Sequence, residues 1–212
     1  QPTAPSYTPD PNRTFNPNGS GATVTRTSAG IYRVTFPGFT TPEEWQYAYG
    51  GNVQVTSVNS GAARCTVSSW SRVLGDAWVA CTDPAGVAAD AEFSLLWLLP
   101  RQRFDTDIAY AWANDPAASS YTPIDRYVSN PGDAPTTVTR LATGQYRVEF
   151  ANLYGVPVEA QAHVQVTTFG ATGDQCAITL IALEYTWVDC FDAAGNPVDT
   201  RFTILRLRPV SY

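Results

Sequence analysis

Apolar and polar residues alternate along most of the chain. Tyr32, Val34 and Phe36 are interleaved with Ile31, Arg33 and Thr35, and Tyr146, Val148 and Phe150 with Gln145, Arg147 and Glu149. A period of two is that of a pleated strand with one buried face. The same reading predicts strands near 53–58, 64–70, 77–82 and 92–99, and near 158–169, 176–182, 185–191 and 201–208. Two short links, Thr27-Ser28-Ala29-Gly30 and Leu141-Ala142-Thr143-Gly144, suit tight hairpins in which Gly30 and Gly144 take positive φ. Phe93–Leu99 is apolar on both sides, the pattern of a central or bulged strand. No segment sustains a helical period. The expectation is an all-β protein of small antiparallel sandwiches or barrels, with short links that favour a meander over a Greek key.

The pattern occurs twice. Ser6-Tyr7-Thr8-Pro9 recurs as Ser120-Tyr121-Thr122-Pro123, and at the same offset Asn16-Pro17 matches Asn130-Pro131 and Val24-Thr25-Arg26 matches Val138-Thr139-Arg140. Gly30 to Phe36 matches Gly144 to Phe150, and after short deletions Val53-Gln54-Val55-Thr56 matches Val164-Gln165-Val166-Thr167. Cys65, Trp78, Cys81, Asp83, Gly86, Asp90 and Phe93 then match Cys176, Trp187, Cys190, Asp192, Gly195, Asp199 and Phe202. An ordered series of this kind marks a duplicated unit, here residues 1–106 and 107–212. The strand-like segment Ile108–Ala113, alternating alanine with larger residues, precedes the second Ser-Tyr-Thr-Pro, whereas only Gln1–Pro5 precedes the first. Strand 107–115 is therefore shared or exchanged. One expectation is that one domain has an unpaired edge, filled by the partner domain or by another molecule; the plainer one is a strand packed between the two domains.

Composition removes several chemistries. Charged residues are 15% of the chain, the net charge is −6 and the pI about 4.6, which disfavours a nucleic-acid binder relying on basic charge. No apolar run approaches the roughly 20 residues of a membrane-spanning helix. All thirteen basic residues are arginine, so lysine-based chemistry is excluded. The single histidine, His163, falls on the polar face of its strand. No nucleophile-elbow, zinc-protease or dinucleotide fingerprint occurs, the cysteines are not in C-x-x-C pairs, and no cofactor is implied. Cys65 and Cys81, and Cys176 and Cys190, occupy matching neighbouring strands, which predicts one disulfide per unit and an oxidising, extracytoplasmic compartment. The opening at Gln1 without a leader fits a processed or engineered terminus.

The runs Ala109-Tyr110-Ala111-Trp112-Ala113-Asn114-Asp115-Pro116, Ser120-Tyr121-Thr122-Pro123 and Cys190-Phe191-Asp192-Ala193-Ala194-Gly195-Asn196-Pro197-Val198-Asp199-Thr200-Arg201-Phe202 resemble tandem β repeats in uncharacterised secreted proteins of actinomycetes and similar bacteria. The resemblance spans nearly the whole chain, twice. It implies the domain boundaries and the compartment, and no activity. The first unit departs from it at Cys81–Val87, which lacks the Asn-Pro of the turn.

Three sets of residues are candidates for chemistry. Asp83 and Asp90, with their counterparts Asp192 and Asp199, flank a glycine turn and could offer oxygens to calcium, although an aspartate in a turn also caps backbone amides. Trp45, Tyr47 and Tyr49 share one strand face, and with Trp70 and Trp97 they could form an aromatic platform for sugar rings or polymer chains; they could equally fill a core or an interface. Arg206 replaces Trp97 in the second unit, which suggests an exposed or interfacial position. Glu43, Glu44, Asp105, Asp107, Glu149 and Glu159 could pair as a glycosidase acid and base, and Arg101, Arg103, Arg206 and Arg208 could bind an anion. The expected function is a secreted, non-catalytic binding or surface-interaction protein whose partner is an extracellular glycan or protein. The alternatives are a proteinase inhibitor presenting the loop Ser71–Ala77 and a glycoside hydrolase. The oligomeric state is left open.

Overall fold

A computed structural model describes residues 1–39, 50–58, 62–99, 108–130, 134–151 and 162–207. The first half holds β1 (Ser6–Tyr7), β2 (Thr23–Ser28), β3 (Ile31–Thr35), β4 (Asn52–Val58), β5 (Arg64–Ser71), β6 (Asp76–Thr82) and β7 (Glu92–Leu98). The second holds β8 (Ile108–Ala113), β9 (Ser120–Tyr121), β10 (Val128–Ser129), β11 (Thr136–Ala142), β12 (Gln145–Phe150), β13 (His163–Phe169), β14 (Gln175–Ile181), β15 (Tyr185–Phe191) and β16 (Arg201–Leu207). The protein is all-β, and the alternating pattern explains why: alternate side chains of β3 and β12, Tyr32 with Val34 and Tyr146 with Val148, are buried.

The two halves share one topology. In the first, β1-β2-β3-β6-β5 form one layer and β4-β7 the other. In the second, β9-β11-β12-β15-β14 form the first layer and β13-β16-β8-β10 the other. A cystine joins directly opposed residues of each β-hairpin, Cys65–Cys81 across β5 and β6 and Cys176–Cys190 across β14 and β15. The order corrects the expected meander. The chain leaves β3 for the opposite layer at β4, returns at β5, and places β6 beside β3. Strands with a single apolar face bury it only against a second layer, so the chain must cross between layers.

The halves meet along a seam. β5 and β13 meet in parallel at Val67 and Phe169, making the first layer of one half continuous with the second layer of the other. Beside this seam lies a buried polar network. Gln54 Nε2 donates to Asn52 Oδ1 at 2.7 Å and to Thr203 Oγ1 at 3.1 Å, while Thr167 Oγ1 donates to Gln54 Oε1 at 2.7 Å. Thr203 Oγ1 donates to Val53 O at 2.8 Å, and Asn52 Nδ2 to Ile204 O at 3.2 Å. All four side chains are buried. A buried polar group that loses its partner costs its full desolvation. Gln54→Ala is therefore expected to lower the unfolding free energy by about 1–3 kcal/mol in urea titrations, and a loss within about 0.5 kcal/mol, the range of ordinary surface changes, contradicts the role given to this network.

Candidate functional site

Each half is pinned by the same polar cluster, built from positions the repeat shares. The Asp90 carboxylate accepts from Arg26 Nε and Nη2, both at 2.9 Å, and from the Gly30 amide at 2.9 Å. The Tyr32 hydroxyl donates, shared between Asp90 Oδ1 and the Pro2 carbonyl, each 3.1 Å away. In the second half Asp199 takes Arg140 Nε at 2.9 Å, the Gly144 amide at 2.8 Å and the Tyr146 hydroxyl at 3.1 Å, and Tyr146 reaches the Pro116 carbonyl at 3.2 Å. Gly30 and Gly144 lie at φ of 67° and 70°, and a Cβ on either would run into the backbone at Cys81 or Cys190. The hydrogen bonds from Arg26 hold the Asp90 carboxyl down to about 2, and Arg140 lowers Asp199 likewise. Burial pushes Tyr32 up to about 12 and raises Tyr146 as well.

The calcium candidates are thus engaged by protein groups. Asp90 and Asp199 are the centres of these clusters. Asp83 Oδ1 accepts from the amides of Ala85 and Val87, both at 2.9 Å, and Asp192 Oδ1 from that of Asn196 at 2.9 Å. They cap their own turns. Among the described residues, no group of three or more His, Cys, Asp or Glu side chains could hold a metal.

The halves differ at one place. In the second, β8 lies between β16 and β10, opposing Ala113 to Phe202, Ala111 to Ile204 and Ala109 to Arg206. Its alanines drop into the core against Val138, Val148 and Phe150, and all of these side chains are buried. In the first half, none of the described strands takes that place. β7, the counterpart of β16, pairs with β4 alone among the described strands. The segment Thr14–Phe15, counterpart of β10, leaves Phe15 83% exposed. Between them runs a groove of about 550 Å³, floored by Val24, Val34 and Phe36, walled by Phe93 and Leu95, and edged by Asp10, Arg13 and Glu92. Phe93 and Leu95 are half-buried where Phe202 and Ile204 are fully buried, and Leu96 is 40% exposed where Leu205 is buried.

No family model, curated protein or solved structure matches the chain. The site therefore rests on comparing one half with the other.

The remaining candidates are placed as follows. Trp45, Tyr47 and Tyr49 lie outside the described residues. Trp97 is 8% exposed and packs edge-on against Phe36 and Phe39, so it belongs to the core of the first half. Trp70 sits at the seam between the halves, 6.1 Å from Trp112, 5.1 Å from Tyr127 and 5.7 Å from Phe169 by ring centres, with its Nε1 donating to Gly50 O at 2.9 Å. These two tryptophans fill the core and the interface rather than a platform. The exposed or interfacial position expected from the Trp97/Arg206 exchange is corrected as well: both are buried within their own halves, Arg206 1% exposed with Nη2 donating to Ala182 O at 2.8 Å. Of the glycosidase carboxylates, Glu149 pairs with Arg147 at 3.4 Å; Glu43, Glu44, Asp105, Asp107 and Glu159 lie outside the described residues, as do Arg101, Arg103 and Arg208. Ser71–Ala77 spans the short hairpin turn at 72–75 and the ends of β5 and β6 that flank it. His163 is exposed at the start of β13. The residues lining the groove were not among the candidates. Two signals pointed to them: the two-sided apolar run Phe93–Leu99, and Phe15 where the second half has Ser129.

The pH dependence of the Asp90 cluster has a definite sign. Its folded pKa lies below the ordinary carboxyl value of about 3.9, so its contribution is complete above that value and is lost as pH falls through about 2. Tyr32 is raised, so its contribution is present below the ordinary tyrosine value of about 10 and lost as pH rises through about 12. The stability gap between the native chain and Asp90→Asn, read from urea midpoints, should be constant near neutrality and narrow below about pH 4. A gap that widens on acidification contradicts this assignment.

Proposed function

We propose that this is a secreted, non-catalytic binding or surface-interaction protein that engages its partner through the groove of the first half. One observation carries the reading: where β8 covers the core of the second half, no described strand covers the matching place in the first, and Phe93 and Leu95 wall a cleft above the buried Val24 and Val34. Contiguous apolar surface left uncovered marks an interaction site. The shared polar residues, by contrast, serve folding: Asp90 and Asp199 hold hairpins, and Asp83 and Asp192 cap turns. Both cysteine pairs are bridged, which supports an oxidising, extracytoplasmic setting. No helix among the described residues is long and apolar enough to cross a membrane.

The groove is tested with an environment-sensitive apolar dye. Leu180 and Trp187 pair as another exposed apolar surface on the second half, so the titration is run on a Leu180→Ser/Trp187→Ser background. The dye is expected to saturate at one site per chain. Phe15→Ser, a change at an exposed rim residue that leaves the core intact, should weaken it about three- to tenfold, the effect of losing roughly 1 kcal/mol of apolar contact. Dye binding that is absent, or indifferent to Phe15→Ser, contradicts the groove as a binding site.

A further inference from the structure

The outer face of the β5–β6 hairpin is where the first half receives the second. Thr66 Oγ1 donates to Gly170 O, Gly170 N to Val67 O at 2.8 Å, and Arg64 Nη1 to Gly173 O at 3.3 Å. The incoming segment lies so close that a Cβ on Gly173 would meet Gly86 Cα. Beneath it the opposed pair Thr66 and Ala80 is buried. The matching face of β14 and β15 is open instead: Ala177, the counterpart of Thr66, is exposed, and Asp189 opposite it is half-buried. The residues of this face have changed with its surroundings. Asp189 stands for Ala80, Leu180 for Ser69, Leu141 for Thr27 and Gln145 for Ile31, while Trp78 is kept as Trp187. These five residues and Thr179 line a groove of about 310 Å³ on the second half.

Beyond the groove of the first half, the geometry points to a second site, a seat for one ring of a neutral glycan. Trp187 presents its indole, 41% exposed, with Leu180 opposed to it on β14 and Leu141 exposed on the other side, on β11. A hexose is amphipathic in a complementary way: its C–H face stacks on an aromatic ring and its hydroxyls surround the edge. Asp189 can accept two hydroxyl protons, and Gln145 and Thr179 can both donate and accept. Among the described residues these three side chains have no hydrogen-bond or ion-pair partner, so they are available to a ligand. Charge selects the class of sugar. Asp189 is the one charged residue among the described lining, and Arg147, next to Trp187 in the ladder, is engaged by Glu149 at 3.4 Å and lies 6.0 Å from the Tyr185 ring centre. An acidic sugar would therefore meet a like charge. A quaternary ammonium would use the indole and the carboxylate but leave Gln145 and Thr179 without a role. The volume, near the lower end for ligand pockets, suits one ring. The groove crosses β14, β15, β12 and β11, about 14 Å at strand spacing, so the glycan chain continues across the sheet on either side of that ring.

The test is a calorimetric titration of the intact chain with hexasaccharides of glucose, mannose, xylose and N-acetylglucosamine, with hexagalacturonate and tetramethylammonium as charged counterparts. At least one neutral hexasaccharide is expected to bind one-to-one. Trp187→Ala should weaken it at least about tenfold, and Trp187→Tyr should recover much of the loss because a ring is restored. Leu180→Ser and Asp189→Ala should each weaken it about three- to tenfold, so the reading does not hang on a single substitution. Melting temperatures equal to that of the parent chain separate loss of the site from loss of the fold. Phe15→Ser should leave sugar binding unchanged, so this site and the groove of the first half stand or fall separately. The proposal is overturned if none of the neutral hexasaccharides binds, if binding is indifferent to Trp187→Ala, or if hexagalacturonate binds more tightly than its neutral counterparts. Binding of tetramethylammonium through Trp187 and Asp189 in place of the sugars overturns it as well.

Discussion

Everything in each half hangs on one carboxylate. Asp90 and Asp199 gather an arginine from the preceding strand, the amide of a left-handed glycine and a tyrosine hydroxyl. Charge-assisted hydrogen bonds of this kind are about twice as strong as neutral ones. Here they hold together segments far apart in sequence: the β2–β3 hairpin, the segment leading into β7, and through the tyrosine the chain ahead of β1. The glycine is obligatory, because positive φ and the close approach of the Cys81 carbonyl leave no room for a Cβ. The cystine runs beside this knot, joining β5 to β6, with the Cys81 amide donating to Gly30 O at 2.7 Å. Hairpin, knot and bridge form one rigid corner.

That corner also holds the chain that leads into β9 and into β1. Tyr146 donates to the Pro116 carbonyl just after β8, and Tyr32 donates to the Pro2 carbonyl in the same way. The scaffold of the two halves thus matches down to these hydrogen bonds. In the half with β8 the core strands are covered, and in the other, among the described residues, a cleft lies above the matching floor. The polar seam of Asn52, Gln54, Thr167 and Thr203 then holds the first half against the second and keeps β4 in place.

Much of this was readable residue by residue. The positions of the hairpin glycines, the pairing of the cysteines and the limits of most strands follow from local rules: a period of two, a turn that requires positive φ, and a cystine repeated at matching places. The reading failed where neighbours decide. Phe93–Leu99 has the pattern of a central strand, and β16, its counterpart, is one; β7 has a pairing partner on one side among the described strands. Trp97 and Arg206 looked exposed or interfacial because they differ between copies, yet both are buried, one against aromatic rings and the other against a backbone carbonyl. For the aspartates the turn-cap reading, set beside calcium, holds at Asp83 and Asp192, but the sequence does not show that Asp90 and Asp199 gather an arginine and a tyrosine from other strands.

The sequence alone determined the all-β class, the duplication and the two cystines, because each is written in spacing along the chain. Only the tertiary structure decided that the chain crosses between layers, that the halves share a buried polar seam, and that, among the described residues, one half carries a cleft where β8 covers the other. Those outcomes depend on which strand edges meet in space, and an edge carries the same backbone donors and acceptors whatever its sequence. A pattern of side chains says which face a strand buries; whether its edge is filled is settled by the strand that comes to lie beside it.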